Sequence, residues 1–413
     1  MELFVVSFKN VLRNRRRTTL NVLALVIGIT LMIGGMGWVQ GYNTYIYDAL
    51  KSFQTGDLHV LPGEYLDESQ RLPVDIGVED YERVRSEIAS RSDVAEASGR
   101  INFSMRLSAG SKSVRMMGRA IDPARESRIT VIADYIQQGS YLTEQQGVLI
   151  GESVATKMGV APGDTVFVRA MDSYGVENFT ALKVAGTYSL GYPAMDKHVV
   201  FMDLASAQEL LSMGNQVTRV VVKLGEGVKV PDGVEAMSTF VDEEFADEGL
   251  VVKEWQYFVQ SIVNATRADI ASFWGILVIL YVMIVLGILN SMSMSVRERT
   301  REIATLRAVG MRRGRLMQLF LGESVALAVI GAVIGVILSI PLVYWLQVIG
   351  IPLGDAMPED LPIPFGSTFY ADYRLWHYLL SIGIAAATAL LGGFIPARRA
   401  AKLNIAGAMA GKK

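Results

Sequence analysis

The densest run of chemistry-bearing residues is VRERTREIATLRAVGMRRGRLMQLF (296–320). Glu298, Arg299, Arg301, Glu302 and Arg307 mix both signs there. On a helix, Arg299 meets Glu302 and Glu298 meets Arg301 at i, i+3. Ile303, Leu306 and Val309 leave an apolar stripe on a short helix that ends at Gly310. A stripe with a charged border is what a groove-docking element needs. A helix merely lying on a membrane leaflet is the plainer alternative, and composition alone does not separate the two. Residue types suited to covalent or metal chemistry are sparse. There is no cysteine, and the three histidines, His59, His198 and His377, are far apart. No ligand spacing accompanies them, so a satisfied or solvated side chain is expected of each, not a metal site. G-x-S-x-G, HExxH and the Walker A pattern G-x-x-x-x-G-K-[ST] do not occur. Gly151-Glu152-Ser153 lacks the lysine that would reach a phosphate. The chain is therefore expected to be no enzyme and to hold no cofactor. If it drives active transport, hydrolysis of ATP with Mg belongs to a partner.

The elements that position the charged run are membrane helices. Hydrophobic residues make up 51% of the chain and mean hydropathy is +0.32, yet 19% of residues are charged. The charge is segregated into blocks, the pattern of a membrane protein with a sizeable aqueous domain. Uncharged runs occupy residues 18–47, 270–296, 324–354 and 375–397. Each exceeds or meets the roughly 20 apolar residues that cross a bilayer core. A cleaved signal peptide is the rival reading of the first. Its apolar run is too long for an h-region, and no clean A-x-A-like site follows. Trp38, Trp274, Trp345 and Trp376 lie within or at the end of the four spans and suit interfacial anchoring.

Lys and Arg in the short flanks set the orientation. Lys9, Arg13, Arg15, Arg16 and Arg17 precede the first span. Arg297, Arg299, Arg301, Arg307, Arg312, Arg313 and Arg315 lie between the second and third. Arg398, Arg399, Lys402, Lys412 and Lys413 follow the fourth. The loop between the third and fourth instead carries Asp355, Glu359, Asp360 and Asp372. Both termini and the arginine-rich loop are thus expected in the cytoplasm. The expected order is a cytoplasmic amphipathic helix (1–17), span one (18–48), an extracytoplasmic domain (49–265), span two (266–296) and a cytoplasmic coupling helix (297–315). Span three (316–348), an outer loop (349–374), span four (375–397) and a cytoplasmic tail (398–413) complete it. In the first of these, Phe4, Phe8, Val11 and Leu12 share one helical face and basic residues the rest, as in a helix lying on the inner leaflet. Simple topogenic charge explains the same arginines.

The segment 49–265 carries 31 Asp+Glu against 20 Lys+Arg, a net charge of −11. The whole chain is near neutral at −2, so nothing calls for nucleic acid. Residues 78–91 have apolar positions at helical spacing. Residues 101–122 read as a hairpin about Ala109-Gly110-Ser111. Residues 147–170 read as strand, short helix, turn at Pro162-Gly163-Asp164, strand. Further strands are expected at 180–188, 197–203 and 219–224, and a helix at 204–214. An α+β domain follows. The acid run Asp242, Glu243, Glu244, Asp247 and Glu248 reads as a solvated helix face sooner than as a basic partner's site.

The run Glu298-Arg-Thr-Arg-Glu302-Ile-Ala-Thr-Leu-Arg307-Ala-Val-Gly310, followed by Phe320-Leu-Gly-Glu323-Ser, resembles the signature of the FtsX/MacB/LolC–LolE permease superfamily. Pro396-Ala-Arg-Arg-Ala-Ala-Lys402-Leu resembles its ending. Gly56-Asp57-Leu-His-Val with Pro62-Gly63, Ile150-Gly151 with Gly163-Asp164, and Gly186-Thr-Tyr with Asp203-Leu and Ala207-Gln208 resemble its outside domain. The resemblance implies a MacB-like periplasmic core domain between spans one and two and a bacterial inner-membrane setting. It implies a second permease copy or paralogue, a cytoplasmic ABC ATPase dimer and work by mechanotransmission. Within the family the chain looks most like the LolC/LolE type, which implies lipoprotein cargo and a periplasmic carrier. MacB-like efflux of a drug, peptide or toxin and FtsX-like control of cell-wall hydrolases are the alternatives. The coupling residues would be Glu298, Arg299, Arg301, Glu302, Ile303, Leu306, Arg307 and Gly310. An apolar cargo surface would include Met32, Met36, Val39, Phe273, Ile276 and Leu277, with Gly28, Gly34, Gly35 and Gly37 allowing close helix approach. Ordinary span packing explains the same residues. LolC-like members carry a projecting carrier-recruiting loop where this chain has only MDSYGVENF (171–179), and the tail reads Asn404-Ile405 where many relatives have a proline.

Overall fold

A computed structural model describes residues 15–143, 146–352 and 368–403. The expected amphipathic helix, save the residues from Arg15 onward, lies outside them. So do Asp355, Glu359 and Asp360 of the outer loop and Lys412 and Lys413 of the tail. The chain divides into two compact units.

The first unit holds four helices long and apolar enough to cross a membrane. They fall in Arg15–Leu50, Gln260–Glu298, Arg313–Val348 and Leu375–Ala401. Small residues decide how closely they pack. A Cβ on Gly331 or Gly335 of the third span would strike Leu25 or Ile29 of the first. One on Gly392 of the fourth would strike Ile288 of the second. In hydrocarbon no hydrophobic force drives helices together, so such close backbone approach supplies the dispersion contact that does. Asn21 donates to Ser291 Oγ at 2.7 Å, tying the first span to the second. Opposite faces stay apolar and exposed, among them Leu23, Ile27 and Leu31, and Ile279, Val282, Met283 and Leu286. Water would penalise that much contiguous apolar surface; lipid does not.

The second unit, Thr44–Asn264, is built on a ten-stranded sheet. Its strands are β1 (Leu58–Pro62), β2 (Val94–Ala109), β3 (Lys112–Ile121), β4 (Ile136–Gly139), β5 (Gly147–Gly151), β6 (Thr165–Met171), β7 (Glu177–Tyr188), β8 (Val199–Asp203), β9 (Arg219–Leu224) and β10 (Leu250–Glu254). The order runs β10-β1-β9-β2-β3-β8-β5-β7-β4, and β6 bridges β2 and β7. That bridge closes β2, β3, β8, β5, β7 and β6 into a ring, which removes edges that would otherwise template aggregation. The long β2 serves both halves: residues 94–100 pair with β9 and 105–108 with β6.

Alternation along the strands sends Ile101, Phe103, Met105 and Leu107 of β2, and Val220, Val222 and Leu224 of β9, into one core. Helices Tyr81–Ala89, Leu204–Leu210 and Val230–Glu244 bring further members, including Tyr81, Val84, Ile88, Leu210, Met237 and Val241. The expected hairpin is β2–β3, paired Arg100↔Ile121 through Ala109↔Lys112. The 204–214 segment is shorter than expected, ending as a helix at Leu210.

Candidate functional site

After the second span the helix breaks at Arg299, whose backbone leaves the helical region (φ −101°, ψ 18°). A separate short helix, Thr300–Ala308, then crosses to the third span. It stops at Gly310, where φ is +101° and a side chain would be strained. The stop is stitched by two bonds, Met311 N to Leu306 O (3.0 Å) and Gly310 N to Arg307 O (3.1 Å). That crossed pair satisfies carbonyls that the last turn would leave open.

Arg299 pins the corner. Its Nη1 donates to Glu323 Oε1 at 2.8 Å and its Nε to Glu302 Oε2 at 3.1 Å. Glu323, on the third span, is 5% exposed and Arg299 17%. The ion pair therefore sits in a medium where charges attract strongly, and each side chain is costly to leave alone. Ile303 and Ala304 turn into the span-bundle core, with Leu316, Leu319 and Phe320 nearby in the same cluster. Arg307 bends back to the Met311 carbonyl (3.2 Å).

The apolar stripe read from the sequence is thus divided. Ile303 is spent on holding the helix to the spans and is not open to a partner. Leu306 and Val309 remain outside, Val309 at 85% exposure. Glu298, Arg301 and Glu302 are exposed beside them. What is left is an elbow with a small apolar patch, Leu306 and Val309, in a charged frame.

The six residues read as a cargo surface are not brought to one open face. Met32, Met36 and Leu277 are buried among the spans, Val39 and Phe273 are half-buried, and Ile276 is exposed. Gly35 gives room to the Phe273 ring, Gly28 to Ile284, Gly34 to Leu342 and Gly37 to Tyr373. The first-span glycines thus admit neighbours from the other spans and from the segment leading into the fourth.

In the extracytoplasmic unit the 171–179 turn is tightly made. Asp172 accepts from the Tyr174 and Val176 amides (2.9 and 2.8 Å), from Asn178 Nδ2 and from Ser212 Oγ. Those donors, the Val176 amide first, hold its carboxyl below the ordinary value. Around this ordered turn, Met171, Tyr174, Val176 and Phe179 are exposed. His59 is not solvated. It is buried, and no side chain answers either ring nitrogen. Strand alternation alone would have put it in water, and only the packing over that sheet face shows otherwise.

Comparison with known proteins matches two family models to the chain. The family model of the MacB-like periplasmic core domain matches residues 18–240, more than half of the chain. The model of the FtsX-like permease C-terminal matches 274–405, which takes in the elbow. The chain belongs to the MacB/FtsX permease superfamily. As a MacB/FtsX permease it is an ABC-transporter component of the bacterial inner membrane. Similar curated proteins include the macrolide export ATP-binding/permease protein MacB of Chromobacterium violaceum, 24% identical over 99% of this chain and 60% of the relative. MacB of Campylobacter jejuni is 23% identical over 98% of this chain and 60% of the relative. The chain spans about 60% of the length of such relatives. Among solved structures, the periplasmic region of MacB from Actinobacillus actinomycetemcomitans is 15% identical with a TM-score of 0.39, covering 53% of this chain and 98% of that one. The extracellular domain of the noncanonic transporter YknZ is 11% identical with a TM-score of 0.36, covering 48% and 100%.

Proposed function

We propose that this chain is the permease of an exporter that moves cargo by mechanotransmission. The observation that carries the reading is a pair of helices longer than the bilayer, the second of which ends on an elbow pinned by an ion pair. The helix holding the first span has 36 residues and that holding the second has 39. At 1.5 Å per residue they run about 54 and 58 Å. A bilayer core takes up only about 30 Å of each. A continuous helix of that length transmits displacement along its axis. The second ends one residue before the corner that Arg299 and Glu323 pin.

In this reading two copies, or a copy and a paralogue, pair in the membrane with both termini in the cytoplasm. An ATPase dimer with its ATP and Mg docks on Leu306, Val309 and the charged frame around them. Nucleotide-driven closure pushes the elbow, and the long helices carry the movement to the extracytoplasmic domain. The cargo is an amphiphile taken up on the outer side; the curated relatives are named for macrolides. The exposed apolar turn around Asp172 fits a periplasmic adaptor as its partner. Lipoprotein release to a carrier is the second reading, favoured by the exposed apolar face of Leu23, Ile27 and Leu31, which suits acyl chains.

The test is affinity purification of the full chain in mild detergent. An ATPase with a Walker A motif is expected to accompany it and to be lost in Glu302→Lys, with membrane insertion unchanged. Purification with no such ATPase, or its equal retention by Glu302→Lys, contradicts the docking role. Cargo is separated by transport assay: macrolide efflux supports the first reading, and outer-membrane lipoproteins retained on depletion support the second.

A further inference from the structure

One polar cluster in the extracytoplasmic domain serves neither its core nor the coupling scheme. Strands β1, β9, β2 and β3 lie side by side, and alternation sends His59, Arg219, Arg100, Asn102 and Arg119 away from the apolar core. Arg219 stands directly opposite Arg100, and Arg119 opposite Asn102. Like charges in opposed positions destabilise a strand pair. Here they are also out of water: Arg100, Arg119 and Arg219 are only 2%, 4% and 5% exposed.

Arg100 is answered. Its Nε donates to Glu126 Oε2 at 3.0 Å, its Nη2 to the other carboxylate oxygen, and Thr130 completes that carboxylate. Arg119 and Arg219 form no ion pair among the described residues. Arg119 finds only neutral acceptors, Asn102 Oδ1 at 3.2 Å and the Gln54 carbonyl at 3.4 Å. Burial, then Arg100, pushes its guanidinium down to about 9. Arg219 donates to the Tyr65 hydroxyl at 3.0 Å and lies 4.8 Å from the Phe258 ring centre, while its Nε is buried with no acceptor. His59 packs on Phe258 at 4.1 Å, and no side chain answers either ring nitrogen. A buried cation without a counter-charge is among the costliest things a fold can hold.

These groups face a cavity of about 840 Å³. Its other walls are the turn at Gln54 and Thr55, the 66–72 segment, and residues 257–261 that lead into the second long helix. The carboxylates that line it, Asp67 and Glu68, are solvent-exposed, and Glu68 is already engaged by Arg71.

We propose that this cavity binds a phosphate-bearing anion, held by the guanidinium groups of Arg119 and Arg219 and by the His59 ring. Two unanswered cations match the two negative charges of a phosphate, and guanidinium forks suit its oxygens. A carboxylate would leave one cation bare. The cavity is far larger than inorganic phosphate, and Leu66, Leu72, Tyr257 and Phe258 give it an apolar side. The phosphate therefore belongs to a molecule with an apolar remainder. A phosphatidic acid headgroup and a soluble organic phosphomonoester present the same doubly charged group.

The full chain in detergent is titrated with inorganic phosphate, acetate, dioctanoyl phosphatidic acid and dioctanoylglycerol while its unfolding temperature is followed. Saturable stabilisation by the two phosphates, and none by acetate or dioctanoylglycerol, is expected. Phosphatidic acid binding tenfold or more tightly than phosphate points to lipid as the source; comparable binding points to a soluble one. Arg119→Gln and Arg219→Gln should each weaken binding about tenfold or more. Each should also raise the unfolding temperature without ligand, because an uncompensated charge has gone; a purely structural arginine would lower it. No response of the natural chain to either phosphate overturns the proposal, as does an unchanged response in both variants. Should the variants fail to fold, native mass spectrometry of the natural chain decides: a retained phosphate compound supports the site, and none contradicts it. Because the readout is binding, its failure leaves the transport reading untouched.

Discussion

Arginine is drawn out of water both at the elbow and on the buried sheet face, and the two places answer it differently. At the elbow Arg299 meets Glu323 from the third span and Glu302 from its own helix. Charge is closed there within the protein, and the product is a rigid corner. On the buried sheet face three guanidinium groups stand together, and the carboxylate of Glu126 pairs with Arg100 alone. Charge is left open there, in front of a cavity. A closed pair fixes geometry, whereas an open cluster stores a demand that only a ligand can meet.

That contrast can be broken by removing the carboxylates. Glu126→Gln carries the largest expected effect, because it strips buried Arg100 of its only paired carboxylate beside two arginines that have none. A loss of about 3–5 kcal/mol in unfolding free energy is expected, read by denaturation of the full chain in detergent. A neutral result would mean that solvent already reaches the cluster. Glu323→Gln should cost less, about 2 kcal/mol, because Arg299 keeps Glu302 at 3.1 Å and part of its solvent. A double-mutant cycle with Arg299→Gln should recover most of that loss as coupling energy. Absence of coupling would reduce the elbow to packing alone.

A smaller effect sharpens the open side. Burial first, then Arg219, Arg100 and Arg119, hold the His59 pKa well below its ordinary 6.5; the Thr55 backbone pulls weakly the other way. The unfolded chain then takes up a proton near pH 6.5 that the folded chain refuses. Stability contributed above pH 6.5 is lost as pH falls toward the lowered folded value. The slope from this one group is at most about 1.4 kcal/mol per pH unit. Subtracting the profile of His59→Phe isolates it, and bound phosphate should shrink it. A profile identical in the two chains would show that His59 is not held neutral.

The elbow was readable in the sequence because its determinants are local. Alternating charges, a short helical period and a terminal glycine all lie between Glu298 and Gly310. The four spans were equally plain, since bilayer thickness sets one length for each. Ile303 was misplaced because helical periodicity shows a face and not what covers it. The cationic cavity was not legible for a different reason. His59, Arg100, Arg119 and Arg219 come from four strands, and they meet only through cross-strand register. Taken singly, each looks like an outward polar position on an alternating strand. A Ser98, Arg100, Asn102 series opposite Ile101 and Phe103 reads as a wet face; the structure shows that face covered. The Met32, Met36 and Leu277 set shows the same limit within the spans, where apolar residues toward lipid and toward neighbouring helices look alike.

The account depends most on the elbow and the extracytoplasmic domain lying on opposite sides of one membrane. The chain has no native cysteine, so single cysteines placed by Arg307→Cys and Asp164→Cys can be labelled in intact cells with a membrane-impermeant maleimide. The account predicts that position 164 labels from outside and that position 307 labels only after the membrane is permeabilised. Labelling of both from the same side would contradict it.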